Sequence, residues 1–174
     1  MIPLHDESTT DGLVLAWAHG GSLDALCARP DAKPFPRERV IAIVRALLGA
    51  CVCLHERGIV HRDIKPSNIL LDGPQIWLAD FGVAATNTPS GRWESLPAPW
   101  REMEVGTIGW VAPELRANPQ DISPKNDVYS VGRLWEWVFA RSDSDERTDL
   151  PLQKSMTDPD PAARPTAADV LRRL

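Results

Sequence analysis

At 174 residues the chain suits one domain with a real core. Its formal net charge of -5, from 24 acidic against 19 basic residues, argues against a nucleic-acid-binding surface, which needs a basic patch. No secretory leader opens the sequence and no apolar run reaches bilayer length, so a cytoplasmic protein with neither membrane nor nucleic acid as partner is expected. Cys27, Cys51 and Cys53 lack metal-ligand spacing and read as small core residues of a reducing compartment.

In chain order, residues 2–6 and 13–18 read as two short strands joined by a polar hairpin connection, 7–12. His19-Gly20-Gly21-Ser22 breaks the pattern, and Ser22 is placed to N-cap a short helix through Leu26. From Arg37 to Arg57, Val40, Ile41, Val44, Leu47, Leu48, Cys51 and Leu54 recur at three- and four-residue steps, one face of a long amphipathic helix that Gly58 would end. Ile69–Leu71 and Gln75–Leu78 flank Asp72-Gly73 as a two-strand element. Residues 86–101, rich in Pro, Ser and Thr, have no periodicity and read as a mobile loop. Ser123-Pro124 should start a helix to about Phe139 that is apolar on most sides and therefore buried. Thr166 and Asp169 form a capping box for a terminal helix through Leu174. Neither repeats nor a second domain are seen.

Three strings carry the chemistry: His61-Arg62-Asp63-Ile64-Lys65-Pro66-Ser67-Asn68, Asp80-Phe81-Gly82, and Ala112-Pro113-Glu114. Together they resemble the catalytic loop, the metal-binding loop and the end of the activation segment of a eukaryotic-type (Hanks-type) Ser/Thr protein kinase. The resemblance implies an α+β, mainly helical fold. Residues 1–18 would be the last strands of the small lobe and the hinge, and 19–174 the large lobe.

Phosphoryl transfer needs a group that orients the acceptor hydroxyl, cations on the phosphates, and ligands for the metal. By resemblance Asp63 orients and deprotonates the hydroxyl, and Lys65 sits beside the transferred phosphate. Asn68 and Asp80 are oxygen donors of the kind that Mg²⁺ prefers. Leu70 would face the adenine ring of ATP, Leu15 would guard the back of its pocket, and Ala16 to Ala18 would offer backbone hydrogen bonds. His61 and Phe81, with Gly82, belong to the stack and loop that lock the active arrangement. Arg62 marks the subclass steadied by a phosphorylated activation segment, with Thr86, Thr88, Ser90 and Ser95 as candidate sites. Lys65-Pro66 and Thr107 favour Ser/Thr specificity. Glu114 and Arg164 match a buried ion pair, and Asp127 matches an aspartate that bonds the catalytic-loop backbone.

The sequence departs from the family twice. No Gly-rich phosphate loop and no Val-Ala-Ile-Lys strand stand before His61, and only the polar stretch 140–150 stands where the family has a longer, docking segment. The expectation is a truncated catalytic lobe, with ATP and Mg²⁺ as cofactors and a protein Ser/Thr hydroxyl as acceptor. Acting alone, the chain would be weakly active or inactive, and a partner or second copy would cover the missing half. The alternative is a non-catalytic kinase-like binding module. Intact Asp63, Asn68 and Asp80 weigh against that alternative, and the Ala112-Pro113-Glu114 segment weighs against a small-molecule phosphotransferase.

Overall fold

The computed structural model describes residues 16–95, 106–145 and 149–174. A two-residue strand, β1 (Gly21–Ser22), runs directly into helix α1 (Leu23–Cys27), followed after a turn by the long helix α2 (Arg37–His55). Next come β2 (Ile59–Val60), a 3-10 turn (Pro66–Asn68), β3 (Ile69–Asp72) and β4 (Gln75–Leu78). Strands β5 (Ala85–Asn87) and β6 (Trp93–Ser95) precede the helices α3 (Pro113–Ala117), α4 (Pro124–Phe139), α5 (Leu150–Met156) and α6 (Ala167–Arg173). The strands form two antiparallel three-stranded sheets, in the orders β1-β3-β4 and β2-β5-β6.

The core is helix against helix. Helix α2 packs against α4 and α6. It buries Val40, Ile43, Val44, Leu47, Leu48, Cys51 and Leu54, which meet Val128, Val131, Leu134, Trp135 and Val138 of α4. Each bulky aliphatic side chain so buried stabilises the fold by about 1.5–3 kcal/mol, which makes this the main source of rigidity beneath the loops. Helix α4 also buries Asn126, Asp127 and Ser130 among its apolar residues, each engaged in hydrogen bonds. Gly132 lets α5 approach. A Cβ there would stand 2.8 Å from Met156 Cβ and 2.8 Å from Thr157 Cγ2.

The helix signals translate directly into structure. Pro124 opens α4, whose Asn126 Oδ1 accepts the Ser123 N–H at 2.7 Å. Thr166 Oγ1 accepts the Asp169 N–H at 3.1 Å, while Asp169 Oδ2 takes the Thr166 N–H at 3.2 Å. Helix α2 closes at His55, two residues before the expected end, and its buried stripe includes Ile43 while Ile41 is only half-buried.

Elsewhere the expectations need correction. Residues 2–6, 7–12 and 13–15 lie outside the described residues, and Ala16, Trp17 and Ala18 form no strand. The loop expected over 86–101 holds two strands. Thr86 pairs with Ile59 and Glu94, and the half-buried Trp93 packs on a second apolar cluster of Val60, Ala85, Val111, Ala112, Leu115 and Ile122. The partner strand β2 supplies a ladder that the local sequence does not advertise. Helices α3 and α5 were not expected either. Among the described residues, no helix is long and apolar enough to cross a membrane.

Candidate active site

The segment from Val60 to Asn68 hangs from the core by its backbone. Asp127, fully buried on α4, accepts the His61 N–H at Oδ2 (3.0 Å) and the Arg62 N–H at Oδ1 (2.9 Å). His55 Nε2 stands 2.9 Å from the same Oδ2, so one carboxylate ties α2, α4 and the loop together. Arg62 adopts φ 69, a left-handed conformation unusual for a residue with a side chain, and its Nε donates to Val83 O at 2.6 Å. The turn these bonds create presents Asp63, the next residue.

Asp63 stands at the centre of the site with 11% of its side chain exposed. Its Oδ2 meets Lys65 Nζ at 2.7 Å and accepts from Asn68 Nδ2 at 3.1 Å. Its Oδ1 accepts the Thr107 hydroxyl at 2.9 Å, and Lys65 Nζ donates to that same hydroxyl at 2.8 Å. A carboxylate has about four acceptor positions. Three are filled, and the fourth, on Oδ1, has no donor among the described residues. Gly106 makes this arrangement possible. Its φ of 82 suits only glycine, and a Cβ would stand 3.1 Å from Arg62 O and 2.9 Å from Val111 Cγ2.

The Asp80 loop is stitched to the Asp63 loop through Ala79, whose N–H donates to Asn68 O at 2.9 Å and whose carbonyl lies 3.0 Å from His61 Nε2. Burial holds the His61 imidazole below its ordinary pKa despite the nearby Asp127, Asp63 and Asp80 carboxylates. The neutral ring then donates from Nε2 to Ala79 and accepts the Asp63 N–H at Nδ1 (3.3 Å). Phe81 meets this ring edge to face, with centroids 4.7 Å apart. Asp80 is exposed, has φ 63, and holds the Gly82 N–H at 3.1 Å through Oδ1.

These residues fit a magnesium ion. Asn68 directs its amide NH₂ at Asp63, which leaves its carbonyl oxygen with no partner among the described residues. The exposed Asp80 carboxylate supplies the hard oxygen donors that Mg²⁺ takes. A second group, Cys51, His55 and Asp127, has metal-ligand elements within 4.8 Å of one another. It does not suit a metal. Burial pushes the Cys51 thiol up, and both Asp127 oxygens already hold backbone N–H groups.

Of the other expected positions, Leu70, Ala16 and Ala18 lie outside the hydrogen-bonded cluster. Leu70 is half-buried on β3, opposite Ser22 and Trp77. Ala18 is buried, and its carbonyl accepts the Gly21 N–H at 3.1 Å, while Ala16 is half-buried beside it and Leu15 lies outside the described residues. Glu114 and Arg164 form a separate anchor, with a bidentate pair at 2.7 and 2.8 Å. Burial works to raise the Glu114 carboxyl. The Arg164 hydrogen bonds and charge, with a bond from Asn126, outweigh it and hold the carboxyl below its usual range.

A family model described as "Protein kinase domain" matches residues 4–142. The chain belongs to the protein kinase family. It is 36% identical over 128 residues to serine/threonine-protein kinase PknL of Mycobacterium tuberculosis, an alignment covering 70% of this chain and 29% of that relative. It is 31% identical over 135 residues to PknD of the same species, covering 75% of this chain and 19% of the relative. It is 30% identical over 135 residues to PknH of Mycobacterium bovis, covering 75% and 21%. The chain thus spans less than a third of the length of these relatives. The family match ends before α5 and α6, so the Arg164 pairing is read from geometry.

Three participants escaped the sequence reading. Asn126 was detectable as the third residue after Ser123, a capping-box position. His55 and Ser130 carry no local signal. Their roles come from the crossing of α2 with α4 and from the Trp110 carbonyl, which the Ser130 hydroxyl reaches at 2.9 Å.

Proposed function

We propose that this chain carries the acceptor and metal half of a Ser/Thr protein kinase active site, which transfers the ATP γ-phosphate to a protein Ser or Thr hydroxyl. The observation that carries the reading is the Lys65–Thr107–Asn68 hydrogen-bond set around Asp63, which leaves one acceptor position on Oδ1 with no donor among the described residues. Asp63 orients the incoming hydroxyl and takes its proton. Lys65, held by Asp63 and Thr107, places a positive charge where phosphate oxygens arrive. Asn68 and Asp80 would hold Mg²⁺ through oxygen, and Leu70 with Ala16 to Ala18 would line the place of the nucleotide base. Mg·ATP, when bound, supplies the phosphoryl group and the metal charge that neutralises it.

The test separates the two aspartates, in the chain with the small lobe restored from upstream sequence or from a donor kinase. Asp80→Asn should weaken Mg·ATP binding in calorimetric titration as well as turnover. Asp63→Asn should leave nucleotide affinity within a few-fold while phosphotransfer falls about a hundredfold, the scale of a lost acid–base contribution. Full phosphotransfer by Asp63→Asn would refute the assignment. Partner binding that survives both substitutions, in a protein with no phosphotransfer, would make the chain a non-catalytic module.

A further inference from the structure

Beside Asp63 opens a groove of about 340 Å³, with walls that include Asp24, Lys65, Pro66, Thr107, Trp110 and Trp137. Lys65 and Thr107 belong both to this groove and to the hydrogen-bond set around Asp63. A segment that brings a hydroxyl to Asp63 therefore lays its neighbouring side chains along the groove. The chemistry of the groove then decides which side chains are welcome.

That chemistry is apolar and aromatic. Trp110 and Trp137 meet edge to face with centroids 6.0 Å apart, and the Arg141 guanidinium covers the Trp137 ring at 3.7 Å, which fixes its orientation. The turn that delivers Trp110 also holds Ile108, 73% exposed, between Gly106 (φ 82) and Gly109 (φ 93). Bare aliphatic surface next to a functional site marks a place where something apolar sits. The charged residues of the groove are already engaged. Lys65 is bound to Asp63 and Thr107, and Asp24 Oδ1 holds the Ser22 hydroxyl at 2.5 Å and the Ala25 N–H at 2.8 Å.

We infer that the groove selects acceptor segments with a bulky apolar side chain, aromatic or branched aliphatic, within a few residues of the Ser or Thr. Trp110 and Trp137 are the residues that read it. The inference rests on the kinase reading above and names its substrate class.

The test is binding of dye-labelled Ser peptides to the 174-residue chain, followed by fluorescence anisotropy. The peptides differ only in carrying Phe, Leu, Ala, Glu or Arg at the positions flanking the serine. The Phe and Leu peptides should bind about tenfold tighter than the Ala peptide, the scale of burying one large side chain. Trp137→Gln should reduce that preference to threefold or less while its urea unfolding stays cooperative, which shows that the fold survives. Trp137→Phe should keep the preference. Equal binding of all five peptides by the parent protein, or preference for Glu or Arg, overturns the inference. So does an unaltered preference in Trp137→Gln. Phosphotransfer to the same peptides, measured after the small lobe is restored from a donor kinase, separates the two claims. Apolar preference in binding without any transfer by that restored domain supports the groove and refutes the kinase reading, whereas transfer to all peptides alike does the opposite.

Discussion

Thr107 and Asp63 stand 44 residues apart in the chain, yet the threonine hydroxyl donates to the aspartate carboxylate at 2.9 Å. The same hydroxyl accepts from Lys65 at 2.8 Å, so it couples the segment before Ala112-Pro113-Glu114 to the loop that carries Asp63. Positioning supplies most of the rate in phosphoryl transfer, which makes this link worth testing.

Thr107→Val removes both bonds while keeping the shape. Phosphotransfer to a Ser peptide should fall about ten- to a hundredfold, and Thr107→Ser should retain most of it. Equal rates for the valine and serine variants would detach Thr107 from the reaction.

Asp127→Asn replaces one of the two acceptor oxygens with an NH₂ group, so one of the His61 and Arg62 N–H groups loses its partner. A buried N–H left without a partner costs about 1–3 kcal/mol. Chemical denaturation should show that loss, and hydrogen exchange should show faster opening at one of the two amides, His61 or Arg62. Protection unchanged at both amides would contradict the anchoring described above.

Arg164→Ala leaves the Glu114 carboxylate half-enclosed with its guanidinium partner gone, together with the bonds from Arg164 to Asp158 O and Lys125 O. The expected cost is about 3–5 kcal/mol, the range for breaking a buried pair from one side. The double variant Arg164→Met/Glu114→Gln should recover part of it. A thermal melt of Arg164→Ala that matches the parent would show that the pair contributes nothing.

Acid should destabilise the fold in two stages. His61 is held neutral by burial with its pKa below 6.5, so the unfolded chain binds the extra proton first as pH falls. Its contribution is present above about pH 6.5 and is lost below it. Glu114 lies below its ordinary 4.5, so its contribution is present above that value and disappears as pH falls through the lower folded value. Urea midpoints at pH 7.5, 6 and 4 should decline in that order, and a flat profile would contradict both assignments.

What the sequence revealed and what it hid follow from the range of each interaction. Pro124, Thr166 and Asp169 act within one helical turn, so their signals could be read locally and the structure bears them out. The stripe from Val40 to Leu54 announced α2 for the same reason. Strand β5 pairs with Ile59 and Val60, more than twenty residues upstream, so nothing in 86–101 by itself marks a hairpin. Asp63, Lys65, Asn68 and Asp80 were visible as motif positions. The hydroxyl of Thr107 that joins two of them, and the His55 that shares Asp127, depend on crossings that no window of sequence contains.

Ala79 joins the two acidic loops entirely through its peptide groups, one as donor to Asn68 and one as acceptor from His61. Its methyl group takes no part in either bond. Natural variation at this position should therefore be broad in side-chain type and closed to a single residue, proline, which has no N–H to give. A position that conveys so little in an alignment can still be the hinge-pin on which Asp63 and Asp80 keep their distance.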